Sequence, residues 1–283
     1  MKGFKNIGNT CYLNSGLQMI VQNTELCALI LKYSGESELL KKIGEFINEY
    51  YSESSAILIP SEIKKIVQEK QDLFSGFGQQ DSTEFVIYLL DTIDEEIKKI
   101  DKTSKGIQPI FGIGLNTKIK CKLRECLQIS NKKESNNFLL LDIDDKCASL
   151  EDAYHNFKSG EKLESDNKYY CENCKAKRIA SKRSIIEEWP QYLFIWLKRF
   201  SQKGKRFFKN SQELDIPLEW RHSNYLQGAI IHYGDLNGGH YVYIGKQNSK
   251  WYLFNDSSVS EITSENHLKS LLSKAYWLCY KKQ

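Results

Sequence analysis

The chain has 283 residues, of which 41% are hydrophobic, so it can bury the core of one large domain or two small ones. Its 40 Lys and Arg residues barely exceed its 36 Asp and Glu residues, and a net charge of +4 does not indicate nucleic-acid binding. No stretch approaches the roughly 18 consecutive apolar residues of a membrane span, and no apolar run follows Lys2 as in a signal peptide. We therefore expect a cytosolic or nuclear protein that binds neither nucleic acid nor membranes.

The first segment predicts a helix that begins near a cysteine. Gly8, Asn9 and Thr10 are residue types of turns and N-caps. Apolar residues then recur at helical spacing, at Leu13, Leu17, Ile20 and Val21. A thiol at a helix N-terminus experiences the positive end of the helix dipole and free backbone N–H groups, and both favour the reactive thiolate. Cys11 is therefore a candidate nucleophile.

The rest of the first third also has helical periodicity. Apolar residues recur at spacings of three and four from Glu38 to Tyr50, and Pro60 followed by Ser61 is typical of a first helical turn. Asp81 stands at the start of a long amphipathic helix, where a carboxylate suits the dipole. Its predicted apolar face contains Phe85, Val86, Leu89, Leu90, Ile93 and Ile97.

The composition changes at residues 106–114, which hold three glycines and a proline, and this change marks a subdomain boundary. Short strands are predicted beyond it, and the run 192–197 is apolar at every position, as in a central strand covered on both faces. The other predicted strands are residues 138–143, 229–233, 241–244, 251–254 and 275–280. Helices followed by strands predict an α+β fold.

A nucleophilic cysteine needs a base, and one histidine has a distinctive setting. His240 follows Gly238 and Gly239, which permit close backbone approach, and it begins an aromatic strand. The strand 251–254 ends at Asn255 and Asp256, either of which could orient an imidazole. The other histidines, His155, His222, His232 and His267, have no comparable setting.

Together, residues 3–15 and 238–259 resemble the Cys box and the His box of the ubiquitin-specific proteases, which are papain-like deubiquitinating cysteine peptidases. The resemblance extends from Gly3 to about Tyr280. It implies a single catalytic domain with a papain-like cysteine peptidase fold, in which residues 1–105 form a helical thumb. Residues 106–190 are then the fingers and residues 191–283 the β-rich palm.

The resemblance assigns catalytic roles. Cys11 attacks the carbonyl carbon, and His240 serves as general base and acid. Asn255 orients His240, with Asp256 as the second choice for that role. The backbone N–H of Cys11 is a candidate oxyanion donor, and by resemblance the side-chain amide of Asn6 is the other.

The substrate tail implied by this family is Leu-Arg-Leu-Arg-Gly-Gly of ubiquitin, joined to lysine. Gln80, Asp81 and Glu84 lie in a segment that matches the family's Gln-Gln-Asp box, so the resemblance assigns the two carboxylates to the tail arginines. Without the resemblance, a solvated first helical turn is the simpler interpretation. Gly239 and Tyr241 are candidate walls of a narrow slot for the two glycines.

Two cysteine pairs predict a structural zinc site. Cys171 and Cys174 form a C-x2-C pair, while Cys121 and Cys126 form a C-x4-C pair, within the spacing that zinc sites use. The family often carries such a site at the tip of its fingers, built from two C-x2-C pairs. The alternative is a degenerate finger with loose thiols. We interpret the remaining cysteines, Cys27, Cys147 and Cys279, as ordinary buried thiols.

One segment is rich in basic residues. We interpret it as a solvated strand end and a mobile loop rather than a nucleic-acid site; it runs from Lys198 to Lys209 and includes Lys203, Lys205, Arg206, Phe207 and Phe208.

With this resemblance, the sequence predicts a monomeric thiol hydrolase that removes ubiquitin from proteins without a catalytic cofactor. Two alternatives stay open: a protease for another ubiquitin-like modifier, and a non-catalytic ubiquitin-binding scaffold.

Overall fold

In the computed structural model, the described residues are 1–54, 56–126, 128–203, 206–235 and 238–283, and only the backbone is described at 202, 203, 206 and 207. Lys205 and the side chains of Lys203, Arg206 and Phe207 lie outside this description, so the mobile loop stays a prediction. The described helices and sheets confirm the α+β class.

The N-terminal third is helical. Its helices are α1 (Cys11–Val21), α2 (Thr24–Tyr33), α3 (Glu38–Tyr51), α4 (Ser61–Lys70), α5 (Ser82–Ile100) and the short α6 (Gln108–Phe111). The predicted helices at Cys11, from Glu38, after Pro60 and after Asp81 are confirmed, whereas α2 and α6 were not predicted. No helix within the described ranges is both long and apolar enough to cross a membrane.

The C-terminal half is built around one large sheet. Its strands are β3 (Leu139–Asp142), β8 (Tyr192–Lys198), β11 (Glu219–Trp220), β12 (Asn224–Gly234), β13 (Gly239–Gln247), β14 (Lys250–Asn255), β15 (Ser258–Ile262) and β16 (Ala275–Lys282). The order is β15-β14-β13-β12-β16-β8-β3, with β11 beside β12. Only β3 and β8 are parallel among these described pairs. Strand β8 is apolar because both of its faces are covered, although it lies next to the edge strand.

The two faces of the large sheet bury different residues. On one face, Phe194, Ile230 and Trp277 join the core formed with helices α1 to α5. On the other, Ile195 and Ile231 join a second core that includes residues of α7 (Leu150–Ser159) and α8 (Glu265–Leu272). Because side chains alternate between the faces of a strand, the continuous apolar runs of this sheet follow from helices on both sides.

A second sheet extends from the first. It has the order β2-β1-β7-β4, with β1 (Ile113–Cys121), β2 (Ile129–Asn136), β4 (Glu161–Leu163) and β7 (Ala180–Glu188). Two hairpins complete the described strands: β5 (Tyr169–Cys171) with β6 (Ala176–Arg178), and β9 (Phe200–Lys203) with β10 (Arg206–Lys209). Within residues 106–190, β3 pairs with the large sheet and α7 packs on it. The division into thumb, fingers and palm stays a prediction.

Candidate active site

Cys11 is the first residue of α1, as predicted, and it is buried. Thr10 occupies the N-cap position, but its side chain does not cap the helix. The Thr10 hydroxyl instead accepts from the Ile7 N–H at 2.9 Å, which shapes the loop before the helix. Among the described residues, no group accepts a hydrogen bond from the Cys11 backbone N–H, so this donor is available for an oxyanion.

His240 lies on β13 and Asn255 ends β14, so the hydrogen-bonded neighbours β13 and β14 bring them together. The His240 Nε2 atom is 2.7 Å from the Asn255 Oδ1 atom, which fits Nε2–H donating to the amide oxygen and leaves Nδ1 for Cys11. A hydrogen-bonding interaction with the Cys11 side chain, reinforced by the bond to Asn255, raises the pKa of His240 to about 9. Burial opposes this rise.

Asp256 contacts other groups than His240. Its Oδ2 atom accepts from Asn6 Nδ2 at 2.9 Å, and its Oδ1 atom accepts from Asn14 Nδ2 at 2.7 Å. Its backbone φ of 50° belongs to the turn between β14 and β15, where Asp is one of the tolerated residues. The structure therefore places Asn255 as the hydrogen-bond partner of His240, and Asp256 as the partner of the predicted oxyanion donor.

The amide of Asn6 is held from both ends. Its Oδ1 atom accepts from the N–H groups of Gly8 and Thr10, each at 3.1 Å. Because a side-chain amide has one oxygen and one NH2 group, these bonds fix which end carries the donors. One hydrogen of Nδ2 is donated to Asp256, and the second is left for the substrate.

We expect Asn6→Ala and Asp256→Ala each to lower kcat by roughly 10²-fold to 10³-fold, the usual cost of an oxyanion donor. The double variant should lose little more than either single variant, because Asp256 acts through Asn6. Asn9→Ala is the matched control, since Asn9 belongs to the same loop but donates to the carbonyl of Phe77. Steady-state kinetics of these four variants and the wild type make the comparison, and additive losses in the double variant would contradict a shared role of Asn6 and Asp256.

The pKa of His240 predicts an alkaline limit of activity. Its folded pKa of about 9 exceeds the ordinary 6.5, so the imidazolium contributes stability that is complete below about pH 6.5 and lost as pH rises through about 9. If the reactive state is a thiolate–imidazolium pair, kcat/KM should fall near pH 9. Asn255→Ala should move this limb to lower pH, because it removes a hydrogen bond that raises the pKa. A pH profile in which the limb does not move would rule out this role for Asn255.

The predicted tail-binding residues lie at the start of α5 and beside His240. Asp81 caps α5 by accepting from the Thr83 N–H, and its other oxygen accepts from the Tyr276 hydroxyl at 2.8 Å. The Glu84 side chain reaches the solvent, but the protein around its carboxylate partly desolvates it, and this desolvation, followed by the charge of Asp81, raises the pKa of Glu84. Asp81 is therefore the N-cap of α5, in agreement with its interpretation as a residue of the first helical turn. Binding of the ubiquitin tail by Asp81, Glu84 and the half-buried Gln80 stays a prediction.

Gly239 is required by close packing. A Cβ atom there would lie 2.0 Å from His232 Nε2 and 2.6 Å from the Tyr233 carbonyl oxygen. The Gly239 N–H donates to Gln79 Oε1 at 3.0 Å, which ties the segment before α5 to the segment before His240. Tyr241 is buried, with its ring 4.4 Å from that of His232. It therefore supports this segment from the interior, and its place in a glycine slot stays a prediction.

The sequence analysis assigned no role in the site to three residues that lie near it. Asn14 is buried and donates a hydrogen bond to Asp256. The sequence could have indicated it as a polar residue between the apolar Leu13 and Leu17 of α1. Gln79 belongs to the Gln-Gln-Asp box, but its hydrogen bond to Gly239 joins residues 160 positions apart, and no local pattern indicates that contact. His232 is buried beside Gly239, and burial, followed by the charge of Lys209, lowers its pKa to about 4. It is therefore a neutral packing residue at neutral pH.

The four cysteines of the two pairs meet at the far end of the second sheet. The sulfurs of Cys121, Cys126, Cys171 and Cys174 all lie within 4.8 Å of one another, and the Cys126 and Cys171 sulfurs are 3.6 Å apart. A tetrahedral zinc with Zn–S bonds of about 2.3 Å needs S···S separations of roughly 3.8 Å. The donor set and its spacing therefore fit a structural metal ion.

The electrostatics of the four thiols also fit a cation. The Asn173 side chain donates to the Cys126 sulfur at 3.4 Å and lowers the pKa of that thiol. A hydrogen-bonding interaction with the neighbouring Cys126 in turn raises the pKa of Cys174, so the Cys174 thiol keeps its proton beside the Cys126 sulfur. A bound metal ion would replace this proton and hold all four groups as thiolates. By contrast Cys27, Cys147 and Cys279 are buried outside the cluster, as predicted.

Comparison with known proteins matches the whole chain to one family. A family model described as ubiquitin carboxyl-terminal hydrolase matches residues 2–280. Ubiquitin carboxyl-terminal hydrolase Usp2 of Drosophila melanogaster is 29% identical over 327 residues, 99% of this chain and 34% of that protein. Probable ubiquitin carboxyl-terminal hydrolase 16 of Schizosaccharomyces pombe is 29% identical, and the match covers 99% of this chain and 66% of that protein. The chain thus spans between a third and two thirds of these two relatives.

A third relative is matched over more of its own length. Ubiquitin carboxyl-terminal hydrolase 12 of Salmo salar is 30% identical over 309 residues, which cover 93% of this chain and 82% of that protein. Among solved structures, a chain of the SAGA DUB module Ubp8/Sgf11/Sus1/Sgf73 bound to monoubiquitin superposes with a TM-score of 0.84 and 23% identity. The superposition covers 100% of this chain and 69% of that chain. A form of the module bound to ubiquitin aldehyde gives the same TM-score and the same identity. These structures confirm the predicted fold.

Proposed function

Because the chain belongs to the ubiquitin carboxyl-terminal hydrolase family, we propose that it is a thiol-dependent deubiquitinase. It hydrolyses the isopeptide or peptide bond after the C-terminal Gly-Gly of ubiquitin. The observation that carries the proposal is the His240 imidazole, which is bound to Asn255 through Nε2 and interacts with Cys11 at the start of α1. This is the arrangement of a cysteine nucleophile, its base and the group that orients the base.

In the first half of the reaction, Cys11 Sγ attacks the carbonyl carbon of the terminal glycine. The oxyanion that forms is stabilised by the backbone N–H of Cys11 and by the second hydrogen of Asn6 Nδ2. The His240 imidazolium gives its proton to the departing lysine nitrogen, so that the C–N bond breaks and a thioester to Cys11 remains.

In the second half, His240 is neutral and takes a proton from water, which attacks the thioester carbonyl. The C–S bond breaks, and ubiquitin leaves with a C-terminal carboxylic acid, which gives its remaining proton to the solvent and becomes a carboxylate. The Cys11 thiolate and the His240 imidazolium are restored together. Throughout, Asn255 holds the imidazole in one orientation by accepting from Nε2–H.

Substrate recognition is assigned to the start of α5. Glu84 is exposed, and no other described residue donates a hydrogen bond to its carboxylate, so the carboxylate is available for an arginine of the tail. Asp81 is already held by Thr83 and Tyr276, which would fix its carboxylate for a second arginine. Gly239, next to His240, is assigned to the wall of the slot for the two glycines of the tail, and its own close packing on His232 leaves no room for a Cβ atom.

The four clustered cysteines would hold a structural zinc ion, which would supply rigidity to the end of the second sheet and no catalytic step. None of the eight cysteines forms a disulfide, which favours a reducing compartment, the cytoplasm or the nucleus. We also propose that the protein acts as a monomer, since every group of the site comes from one chain.

The test is incubation with ubiquitin that carries a C-terminal thiol-trapping electrophile, read by intact mass. We expect one ubiquitin on the wild type and on Cys27→Ala, a control that removes a different buried thiol, and none on Cys11→Ala. Labelling by a related modifier with a Gly-Gly tail, and not by ubiquitin, would support the first alternative. A folded protein that binds ubiquitin without an adduct would be a non-catalytic scaffold and would overturn the proposal.

A further inference from the structure

The end of the second sheet that holds the four clustered cysteines is strongly basic. Residues 118–126 and 168–183 contain ten Lys and Arg residues and only two acidic residues, Glu125 and Glu172. The whole chain has 40 basic and 36 acidic residues, so the remainder of the chain is net acidic. The low net charge of the whole chain therefore conceals one concentrated basic region, and it does not test that region for nucleic-acid binding.

The register of β1 and β7 gathers several of these cations on one face. Lys118 on β1 is directly opposite Arg183 on β7, and Lys120 lies two residues further along β1. The Lys122 N–H donates to the Ile179 carbonyl at 2.9 Å, which continues the pairing of the two strands past the end of β1. Three exposed lysines therefore follow one another at every second position, about 6.6 Å apart.

The chain continues this face toward the hairpin of β5 and β6. Exposure alternates along the extended chain before β7, where Lys177 and Ile179 are exposed and Ala180 is buried. Across the hairpin, Tyr170 on β5 is directly opposite Lys177 on β6, so their side chains share a face. Tyr170 is 49% exposed. A large aromatic ring thus reaches the solvent beside the row of cations.

These cations differ from those of the opposite face in having no carboxylate partners. We call the five exposed cations of this face the basic strip: Lys118, Lys120, Lys122, Lys177 and Arg183. Within the described ranges, no carboxylate lies within ion-pair distance of the strip, whereas Lys132 and Lys182 on the opposite face pair with Glu134 and Glu161. Like charges directly opposite each other destabilise a sheet, so the strip has a cost that folding alone does not explain.

We propose that the basic strip and Tyr170 bind single-stranded nucleic acid, a function that goes beyond the proposed hydrolase and does not depend on its active site. The cations pair with successive phosphates, and the Tyr170 ring stacks on a base. Unpaired bases offer a free π face that a duplex does not, so the exposed ring favours a single strand. The ring also distinguishes this partner from an acidic protein surface, which would need only the cations.

The test is fluorescence anisotropy with a labelled single strand of about 15 nucleotides, made as RNA and as DNA. Five phosphate contacts predict that log Kd rises with log salt with a slope of about 3.5. K120E/K177E should weaken binding by at least about tenfold at low salt and lower the slope to about 2. K132E/K182E is the matched control, because it reverses two paired lysines of the opposite face, and it should bind like the wild type.

Substitutions of Tyr170 separate stacking from charge. Tyr170→Ala should weaken binding about tenfold without changing the salt slope, whereas Tyr170→Phe should keep the affinity. The neutral variant K120Q/K177Q should lower the slope as K120E/K177E does, with a smaller loss of affinity. Far-ultraviolet circular dichroism and thermal unfolding of every variant establish that the second sheet is intact.

A wild-type protein that binds neither oligonucleotide at low salt would overturn the proposal. Equal losses in K120E/K177E and K132E/K182E, or tighter binding of a duplex of the same length, would also overturn it. Equal affinity for a poly-glutamate peptide would show a surface for any polyanion, as an acidic protein partner requires, and would contradict the assignment to nucleic acid. Each of these outcomes leaves the proposed hydrolase in place, and Cys11→Ala should bind the oligonucleotide as tightly as the wild type.

Discussion

Replacing Cys11 by alanine is expected to lower turnover by at least about 10⁴-fold, because no other group can supply the nucleophile. The other thiols are too far from the chemistry to substitute. Cys27 donates to backbone carbonyls at the end of α1, and Cys279 is buried in the large sheet. Asn255 would still hold His240, but an oriented base without a thiol has nothing to activate.

Binding of ubiquitin should survive the same change. The Cys11 side chain is small and only 6% exposed, and the groups assigned to the tail, such as Glu84 and Gly239, do not depend on it. Calorimetric titration with ubiquitin, beside steady-state turnover, separates the two effects, with Cys27→Ala as the control thiol. Retained hydrolysis in Cys11→Ala would disprove the assignment of the nucleophile. Loss of binding would mean that Cys11 also shapes the site.

The nucleophile and the base could be predicted because their signals are local. A turn followed by an apolar helical period placed Cys11 at a helix start, and two glycines before an aromatic strand distinguished His240. The choice between Asn255 and Asp256 could not be settled in that way. It depends on where β14 ends and on the positive φ of Asp256, which turns that side chain toward Asn6.

Other parts of the fold depend on contacts between distant residues, which carry no local pattern. The strand β3 lies inside the segment assigned to the fingers but pairs with β8, more than fifty residues later in the chain. Gln79 reaches Gly239 across 160 residues, and its glutamine side chain is not distinguishable from a solvated one in the sequence. Thr10 has the residue type of a helix cap, yet the Asn6 loop uses its hydroxyl. Propensity predicted the elements, while tertiary contacts decided their partners.

The zinc site depends both on local sequence pairs and on contacts between distant residues. Loss of the zinc ion is the second change for which we expect a large effect. Each cysteine pair was visible in the sequence, but only the fold brings Cys121 and Cys126 to Cys171 and Cys174. Beside the sulfurs, few apolar side chains are buried at this end of the sheet. Structural zinc sites of this kind provide apparent binding energies of about 10 to 16 kcal/mol, so the metal and not a core would hold these loops together.

We therefore expect the purified protein to contain one zinc ion per chain, and Cys174→Ala to lose it. Cys174 is the ligand to change because it is the least buried of the four, so its side chain contributes least to packing. Cys147→Ala removes a buried thiol outside the cluster and should keep the metal. Elemental analysis and thermal unfolding make the comparison, and a metal-free wild type that unfolds at the same temperature as Cys174→Ala would exclude a structural metal.

Activity on a short tail peptide should largely survive the loss of zinc. The bond between His240 and Asn255 is made within the large sheet, and Cys11 is fixed by α1. The four ligands instead lie at the end of β1, in the loop between β1 and β2, and in the β5–β6 hairpin. Cleavage of intact ubiquitin is measured in parallel, with and without the metal. A protein that loses cleavage of both substrates equally with its zinc would show that the two sheets fold as one unit.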